Sequence, residues 1–325
     1  MPRGCTKQQF TQQANSSLIE RLTTHILLLF FDGWGLGAED AATNPFIAAP
    51  MPMLRDLLDG AMPTGANGSI NAAHATLIPT DATLGVPGLP QSATGQTTLL
   101  TGVNAARAIG EHLGPYPNAA LRQILARENL FQHLIAANRR VAFANAYPPF
   151  FFERLARGKA RRSATSYAVH VAGVRYRDVD DLRAGRAVSA FVTNELWRKH
   201  GADVPLITAR AAGQNLARIA RTHDFTLFEY FLTDVAGHRA DSALTAFVLA
   251  EVDELLRGVL DGSDLTDSLT ILTSDHGNVE DASAKGHTRN PVPTLLIGAE
   301  RAQIVAQIHS LTDLAPAIVN CVVGK

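Results

Sequence analysis

The sequence predicts an α/β fold: a doubly wound, mostly parallel sheet with helices on both faces and a small inserted cap. Three observations lead there. Short, near-continuous apolar runs read as strands buried on both faces. Helical patterns alternate with those runs along the chain. Ionisable residues follow directly after several of the runs, where an open α/β sheet places its functional groups.

In chain order, His25–Phe31 is the first strand, and Asp32-Gly33-Trp34-Gly35 follows it. A helix is expected over Met53–Leu58. The segment Gln91–Gly102, rich in hydroxyls and glycine, leads into a helix start, where backbone N–H groups and the dipole favour an anion. Helices over Asn118–Arg127 and Leu130–Asn138 precede a strand at Arg140–Ala146. A helix over Ala209–Arg221 precedes a strand at Thr226–Leu232. The longest helix is expected at Asp241–Leu260, followed by strands at Ser268–Thr273 and Pro293–Ile297 and a helix over Leu311–Asn320.

The chain has 325 residues, which suits one large domain or a core with an insertion. With 46% apolar and 18% charged residues it can bury a substantial core, which excludes intrinsic disorder. A formal net charge of -1 provides no global field for nucleic acid or anionic membrane, so neither partner is expected. The longest apolar runs, such as Ile26–Phe31, are too short to span a bilayer. That run is also too short for a signal core and lacks a small-residue cleavage site after it. Two cysteines, Cys5 and Cys321, form neither a disulfide framework nor a CxxC site, and the expected compartment is the cytoplasm. Residues 1–22 read as a polar arm. Residues 150–200 carry eleven Lys/Arg against five acids. This marks 149–204 as a basic cap inserted into an acidic core of 23–148 and 205–325.

Four segments carry the chemistry: Asp32-Gly33-Trp34-Gly35, Asp234 to His238, Asp275-His276-Gly277-Asn278 and His287-Thr288-Arg289-Asn290. Together they supply Asp32, Asp234, His238, Asp275, His276 and His287, a mixed oxygen and imidazole set that suits Zn²⁺ or Mn²⁺. Six ligands exceed the need of one catalytic ion and divide naturally between two. Group transfer would also need a nucleophile, and the Gln91–Gly102 segment offers several hydroxyls, each weak unless activated. A dinucleotide-binding reading of Gly33-x-Gly35-x-x-Ala38 fails, because the helix it needs meets Asn44-Pro45 too soon.

The Asp32, Asp275 and His287 motifs, in this order, resemble those of the cofactor-independent phosphoglycerate mutases, within the alkaline phosphatase superfamily of metalloenzymes. The resemblance covers roughly residues 25–148 and 205–322. It implies that Asp234, His238 and His287 hold one divalent ion, while Asp32, Asp275 and His276 hold the other with the nucleophile. Gly95-Gln96-Thr97 lies where the mutases have Gly-Asn-Ser, so the resemblance makes Thr97 the nucleophile and a metal ligand. Threonine there also resembles the nucleotide phosphodiesterases of the superfamily. Gln96 falls at a position that contacts phosphate in the mutases. The cap arginines Arg154, Arg157, Arg161 and Arg162 would hold the rest of a small anionic phosphate ester. The mutases insert a much larger second domain, so the expected activity is phosphoric ester hydrolysis through phosphothreonine. A phosphomutase is the alternative, and a non-catalytic metal- or phosphate-binding protein is the alternative of another class.

Overall fold

The computed structural model describes residues 24–324, so the arm expected over residues 1–22 lies outside the described residues. The strands are β1 (His25–Phe31), β2 (Ile70–Asn71), β3 (Ala75–Thr80), β4 (Val141–Phe143), β5 (Phe225–Tyr230), β6 (Ser268–Thr273) and β7 (Val292–Gly298). They form one sheet in the order β2-β3-β7-β6-β1-β5-β4. β1 is central and parallel to both β5 and β6, and β4 continues parallel beyond β5. β7 runs antiparallel to β6 and β3, and β2 pairs antiparallel with β3. Five strands therefore share one direction, and only β2 and β7 oppose it.

Helices α1 (Pro45–Ala48) and α2 (Pro52–Leu57) follow β1. Helices α3 (Ser92–Thr101), α4 (Ala105–Ile109), α5 (Ala119–Arg127) and α6 (Leu130–Ala136) join β3 to β4. Between β4 and β5 come α7 (Pro149–Ala156), α8 (Ala164–Val171), α9 (Val179–Arg183), α10 (Glu195–Lys199) and α11 (Ala209–Ala220). Helices α12 (Leu232–Arg239) and α13 (Ser242–Gly262) join β5 to β6, and α14 (Arg301–Val305) and α15 (Leu314–Val323) follow β7. No helix among the described residues is long and apolar enough to cross a membrane.

The unbroken apolar run of β1 has a direct structural cause. Leu27, Leu29 and Phe31 pack into a core shared with α1, α2, α11 and α13. Ile26, Leu28 and Phe30 pack into a second core shared with α3, α6, α8 and α15. Both faces of the strand are dry, and each fully buried side chain contributes about 1.5–3 kcal/mol. Asn118 and Asn129 cap α5 and α6 by accepting from the N–H groups of Leu121 and Gln132. Asp241 does the same for α13.

Segment 149–204 packs in two parts. Phe151 of α7 and Ala164, Ala168 and Val169 of α8 belong to the Phe30-side core. Leu182, Ala187, Trp197 and Val204 gather with Ala146 around a smaller cluster. Much of the segment's positive charge is locally paired. Arg175 and Arg186 both reach the buried Asp181, and Arg183 pairs with Asp180.

Two departures from the sequence expectations have physical reasons. β3 was not anticipated because Pro79 interrupts its apolar run. The two-residue β2 pairs only with Thr76 and Leu77, so Pro79 sits on an open edge where its missing N–H costs nothing. The strand expected over Thr226–Leu232 stops at Tyr230, and Leu232 opens α12 instead.

Helices α11 and α13 cross backbone to backbone. A Cβ added at Gly258 would collide with the Arg210 carbonyl, and one at Gly213 with the Leu255 carbonyl. Gly258→Ala should therefore destabilise the protein by about 1–3 kcal/mol through overpacking. Urea unfolding measures this, and a midpoint equal to the parent's would show that the crossing opens without cost.

Candidate active site

The functional side chains stand at the carboxyl edge of the sheet. β1 delivers Asp32, whose N–H bonds the Tyr230 carbonyl at 2.9 Å. The chain then turns at Gly33 with φ of 72°, and a Cβ there would press on the Asp234 carboxylate at 2.8 Å. β6 delivers Asp275 and His276. Helix α12 presents Asp234 and His238 one turn apart, on one face. The loop before β7 supplies His287.

All six expected ligands converge. His276 Nε2 lies 3.2 Å from Asp32 Oδ1 and 3.7 Å from Asp275 Oδ2. His287 Nε2 lies 3.1 Å from His238 Nε2 and 3.6 Å from Asp234 Oδ1. His238 Nε2 is 3.4 Å from Asp234 Oδ2. The His276 and His287 rings stack at 3.7 Å. Ligand atoms of Asp32, Asp275 and His276 lie within 4.8 Å of one another, as do those of Asp234, His276 and His287. His276 thus borders both groups.

The donor set fits divalent cations. Asp32 Oδ1 and Asp275 Oδ2 are buried without a hydrogen-bond partner among the described residues, a costly state that a cation would relieve. Two imidazole Nε2 atoms face each other. Each of two histidines is oriented from behind: His287 Nδ1 bonds the Pro90 carbonyl at 2.7 Å, and His276 Nδ1 bonds the Gly277 carbonyl at 3.3 Å. Burial and the Asp32 charge raise Asp275 well above the usual carboxylate range, and the same two causes raise Asp234. Burial alone would lower His276, but Asp275 and Asp32 push it up to about 10. Burial and the neighbouring His276 depress His287 to about 4. The cluster as a whole attracts positive charge.

Residues outside the six fix its shape. Asn278 Nδ2 donates to Asp234 Oδ1 at 2.6 Å. The buried Glu280 carboxylate accepts from Gly35 N–H at 2.9 Å, Asn278 N–H at 2.7 Å, Asn290 Nδ2 at 3.0 Å and the Thr288 hydroxyl. Sequence reasoning missed this role, although Glu280 stands only two residues past the Asp275–Asn278 motif.

The hydroxyl expected at Thr97 is a correction. The Thr97 hydroxyl is turned back into its own helix, donating to the Ala93 carbonyl at 2.6 Å. Ser92, in the first turn of α3, is the hydroxyl beside the cluster, with Oγ 3.0 Å from His276 Nε2. Gln96 does reach the cluster: its amide donates to Asp32 Oδ2 at 3.3 Å, and its carbonyl accepts from Thr165 at 3.4 Å. Of the expected arginines, Arg161 and Arg162 line a basic pocket of about 290 Å³ with Tyr116, Arg122 and Lys159. Arg161 lies over the Tyr116 ring at 4.5 Å. Arg154 and Arg157 do not line it. They stand at the exposed end of α7, where Arg154 donates to the Lys159 carbonyl at 3.2 Å.

A parallel-cored α/β sheet with this oxygen and imidazole cluster at its carboxyl edge defines a metalloenzyme class. The model of the Metalloenzyme superfamily matches residues 24–323, and the chain belongs to that superfamily. The 2,3-bisphosphoglycerate-independent phosphoglycerate mutase of Desulforudis audaxviator is 30% identical over 122 residues, covering 36% of this chain and 24% of that protein. The enzyme of the same description from Antithamnion sp. is 32% identical over 107 residues, covering 30% and 21%. The match thus spans about a quarter of these relatives or less. Among solved structures, the PH0037 protein from Pyrococcus horikoshii aligns with a TM-score of 0.56 at 16% identity, covering 93% of this chain and 97% of that one. A cold-active alkaline phosphatase from Shewanella sp. aligns with a TM-score of 0.50 at 14% identity, covering 91% and 99%. These two show the shared fold.

Zn²⁺ or Mn²⁺ should raise the thermal unfolding midpoint of the protein and EDTA should reverse the rise, since a ligand of the native state stabilises it. Asp275→Asn should lose most of that response. An unshifted midpoint for the parent protein with either ion would remove the metal assignment.

Proposed function

We propose that this protein is a metal-dependent phosphoric ester hydrolase whose nucleophile is Ser92. The observation that carries the reading is the Ser92 hydroxyl, held 3.0 Å from His276 Nε2 beside two buried, unpartnered carboxylate oxygens. Asp234, His238 and His287 would hold one divalent ion, and Asp32, Asp275 and His276 the other, with Zn²⁺ or Mn²⁺ suited to both. Such a pair, when bound, neutralises charge on a transferring phosphoryl group and lowers the pKa of a hydroxyl within its reach.

The chain's own groups do the rest. Ser92 stands in the first turn of the ten-residue α3, whose free N–H groups and dipole favour an incoming phosphate. Its Oγ forms a bond to phosphorus as the ester P–O bond breaks, and the serine proton is passed on to the departing alkoxide. Gln96 holds Asp32 in place through its amide. Water arriving from the face the alcohol has left then cleaves the phosphoserine, releasing phosphate and restoring the hydroxyl. Arg161 and Arg162, with Arg122 and Lys159, offer positive charge to the anion.

The names of the curated relatives favour a second reading, transfer of the phosphoryl group back to an alcohol. The short 149–204 segment supports hydrolysis, because a mutase must exclude water while its substrate reorients. The proposed compartment is the cytoplasm, and the proposed partner is a small phosphate ester.

With metal-loaded enzyme and a phosphomonoester, Ser92→Ala should abolish the phosphorylated protein seen by intact mass and lower kcat at least about a thousandfold. Thr97→Val should keep turnover within about threefold, as expected for a side chain outside the reacting groups. The reverse pattern would restore Thr97. Phosphate released in ¹⁸O water should carry solvent oxygen, whereas isomerisation of a phosphoglycerate without phosphate release would make the protein a mutase.

A further inference from the structure

One strand away from the metal-ligand cluster, at the carboxyl ends of β4 and β5, lies a second and larger cavity of about 660 Å³. Its wall includes Tyr147, Phe150, Phe191, Trp197 and Phe231, together with Glu229. The basic pocket around Arg161 and Arg162 is unlike it, since four cations line that one.

The aromatic cavity and the cluster share a wall. Phe231 immediately precedes α12, and Asp234 follows three residues on, less than one helical turn away. Thr233, between them, donates its hydroxyl to the Asp32 carbonyl. Glu229 is buried, and on β5 it stands beside Phe30 of β1, two residues before Asp32. The rings are set as a lining: Phe191 and Phe231 meet edge to face at 5.7 Å. Phe150 is 64% exposed, an apolar ring left open to solvent at this wall. A concave, largely apolar space with a few polar groups beside a reacting centre is the usual form of a small-molecule site. Its volume is far larger than a three-carbon acid needs.

Building on the hydrolase reading, we propose that the substrate is the phosphate ester of an apolar alcohol, aryl-bearing or long-chain alkyl, whose organic group lodges in this aromatic cavity. The phosphoryl group faces Ser92 and the ligand cluster, and the alcohol departs toward β4 and β5. Discrimination comes from burial of apolar surface, about fourfold in kcat/KM per methylene removed from water.

The test uses metal-loaded full-length protein and a series of primary phosphomonoesters: ethyl, butyl, hexyl and 2-phenylethyl phosphate. Their alkoxides leave with similar ease, so differences report binding. The value of kcat/KM should rise at least about tenfold from ethyl to 2-phenylethyl phosphate, following that per-methylene gain. Phe191→Ala and Phe150→Ala should each cut this ratio at least threefold. Phe150 is exposed, so its variant tests the cavity even if Phe191→Ala fails to fold. Equal kcat/KM across the series, with turnover intact, would overturn the proposal and leave the hydrolase reading standing. A parallel binding measurement needs no turnover. In metal-loaded Ser92→Ala, 2-phenylethyl phosphate should change tryptophan fluorescence while ethyl phosphate does not, and Trp197→Phe should erase that change. The chain's other tryptophan, Trp34, is buried in the core and serves as the silent background. No fluorescence change with 2-phenylethyl phosphate would overturn the cavity assignment. Fluorescence change with no turnover of any ester would instead keep the cavity as an apolar-phosphate site and refute the hydrolase.

Discussion

The buried carboxylate of Glu280 is the interaction on which the site's geometry depends. It is 1% exposed and accepts hydrogen bonds from the turn after β1, the turn after β6 and the loop before β7. Those three segments carry Asp32, Asp275, His276 and His287. A buried anion is tolerable only where several donors satisfy it, and charge-assisted bonds to backbone N–H are the strong kind. Here one donor, Gly35, lies 245 residues from Glu280 in the chain. One side chain therefore sets the distances among ligands that the sheet alone would leave on separate loops. Asn278 extends the arrangement to α12, because its amide binds Asp234 while its N–H binds Glu280.

That arrangement holds a cluster that works against stability. Three carboxylates stand together, with oxygens of Asp32 and Asp275 left without a hydrogen bond, and burial plus the Asp32 charge disfavours the charged forms of Asp234 and Asp275. The cost is met by the sheet beneath. β1 is dry on both faces, and its neighbours on either side run parallel to it, so its end is held on four sides. Sites that bind cations are usually strained in this sense, with ligands pre-positioned by a core that needs no help from the ion.

The legible part of the sequence was the part written in local pattern. β1 and β6 were read at their observed bounds because strands buried on both faces leave unbroken apolar runs. The six candidate ligands were legible because ionisable groups directly after such runs are costly without a partner. Ser92 was not, and helix geometry says why. The Gly95-Gln96-Thr97 resemblance fixed attention on position 97, but five residues at 100° each turn Thr97 about 140° away from Ser92 around α3. Its hydroxyl consequently finds Ala93 rather than the cluster. Asp234 and His238 were singled out on a segment to which no helix was assigned. Their spacing of four is a helix signal, which the apolar run through Leu232 masked. Glu280 was invisible for another reason: its partners lie on three segments, and no single stretch of sequence contains the pattern.

How segment 149–204 is attached bears on which way a phosphoenzyme would be resolved. A mutase must keep water out while a bound product turns round, which calls for a cover that closes over the site. Covers that swing are joined through linkers crossed by few contacts. Here α7 and α8 are built into the core under the sheet. Phe151 packs against Tyr147 at 4.1 Å, Tyr176 against Tyr147 at 5.2 Å, and the Tyr176 hydroxyl donates to the Ser166 carbonyl at 2.5 Å. Thr165 of α8 bonds Gln96, which in turn bonds Asp32, so moving the helix would disturb a proposed metal ligand. A segment fixed in this way can line a pocket and select a substrate, but it cannot open and close as a body. On the proposed hydrolase reading, water would then reach a phosphoenzyme from the face the alcohol has left, which favours hydrolysis over transfer.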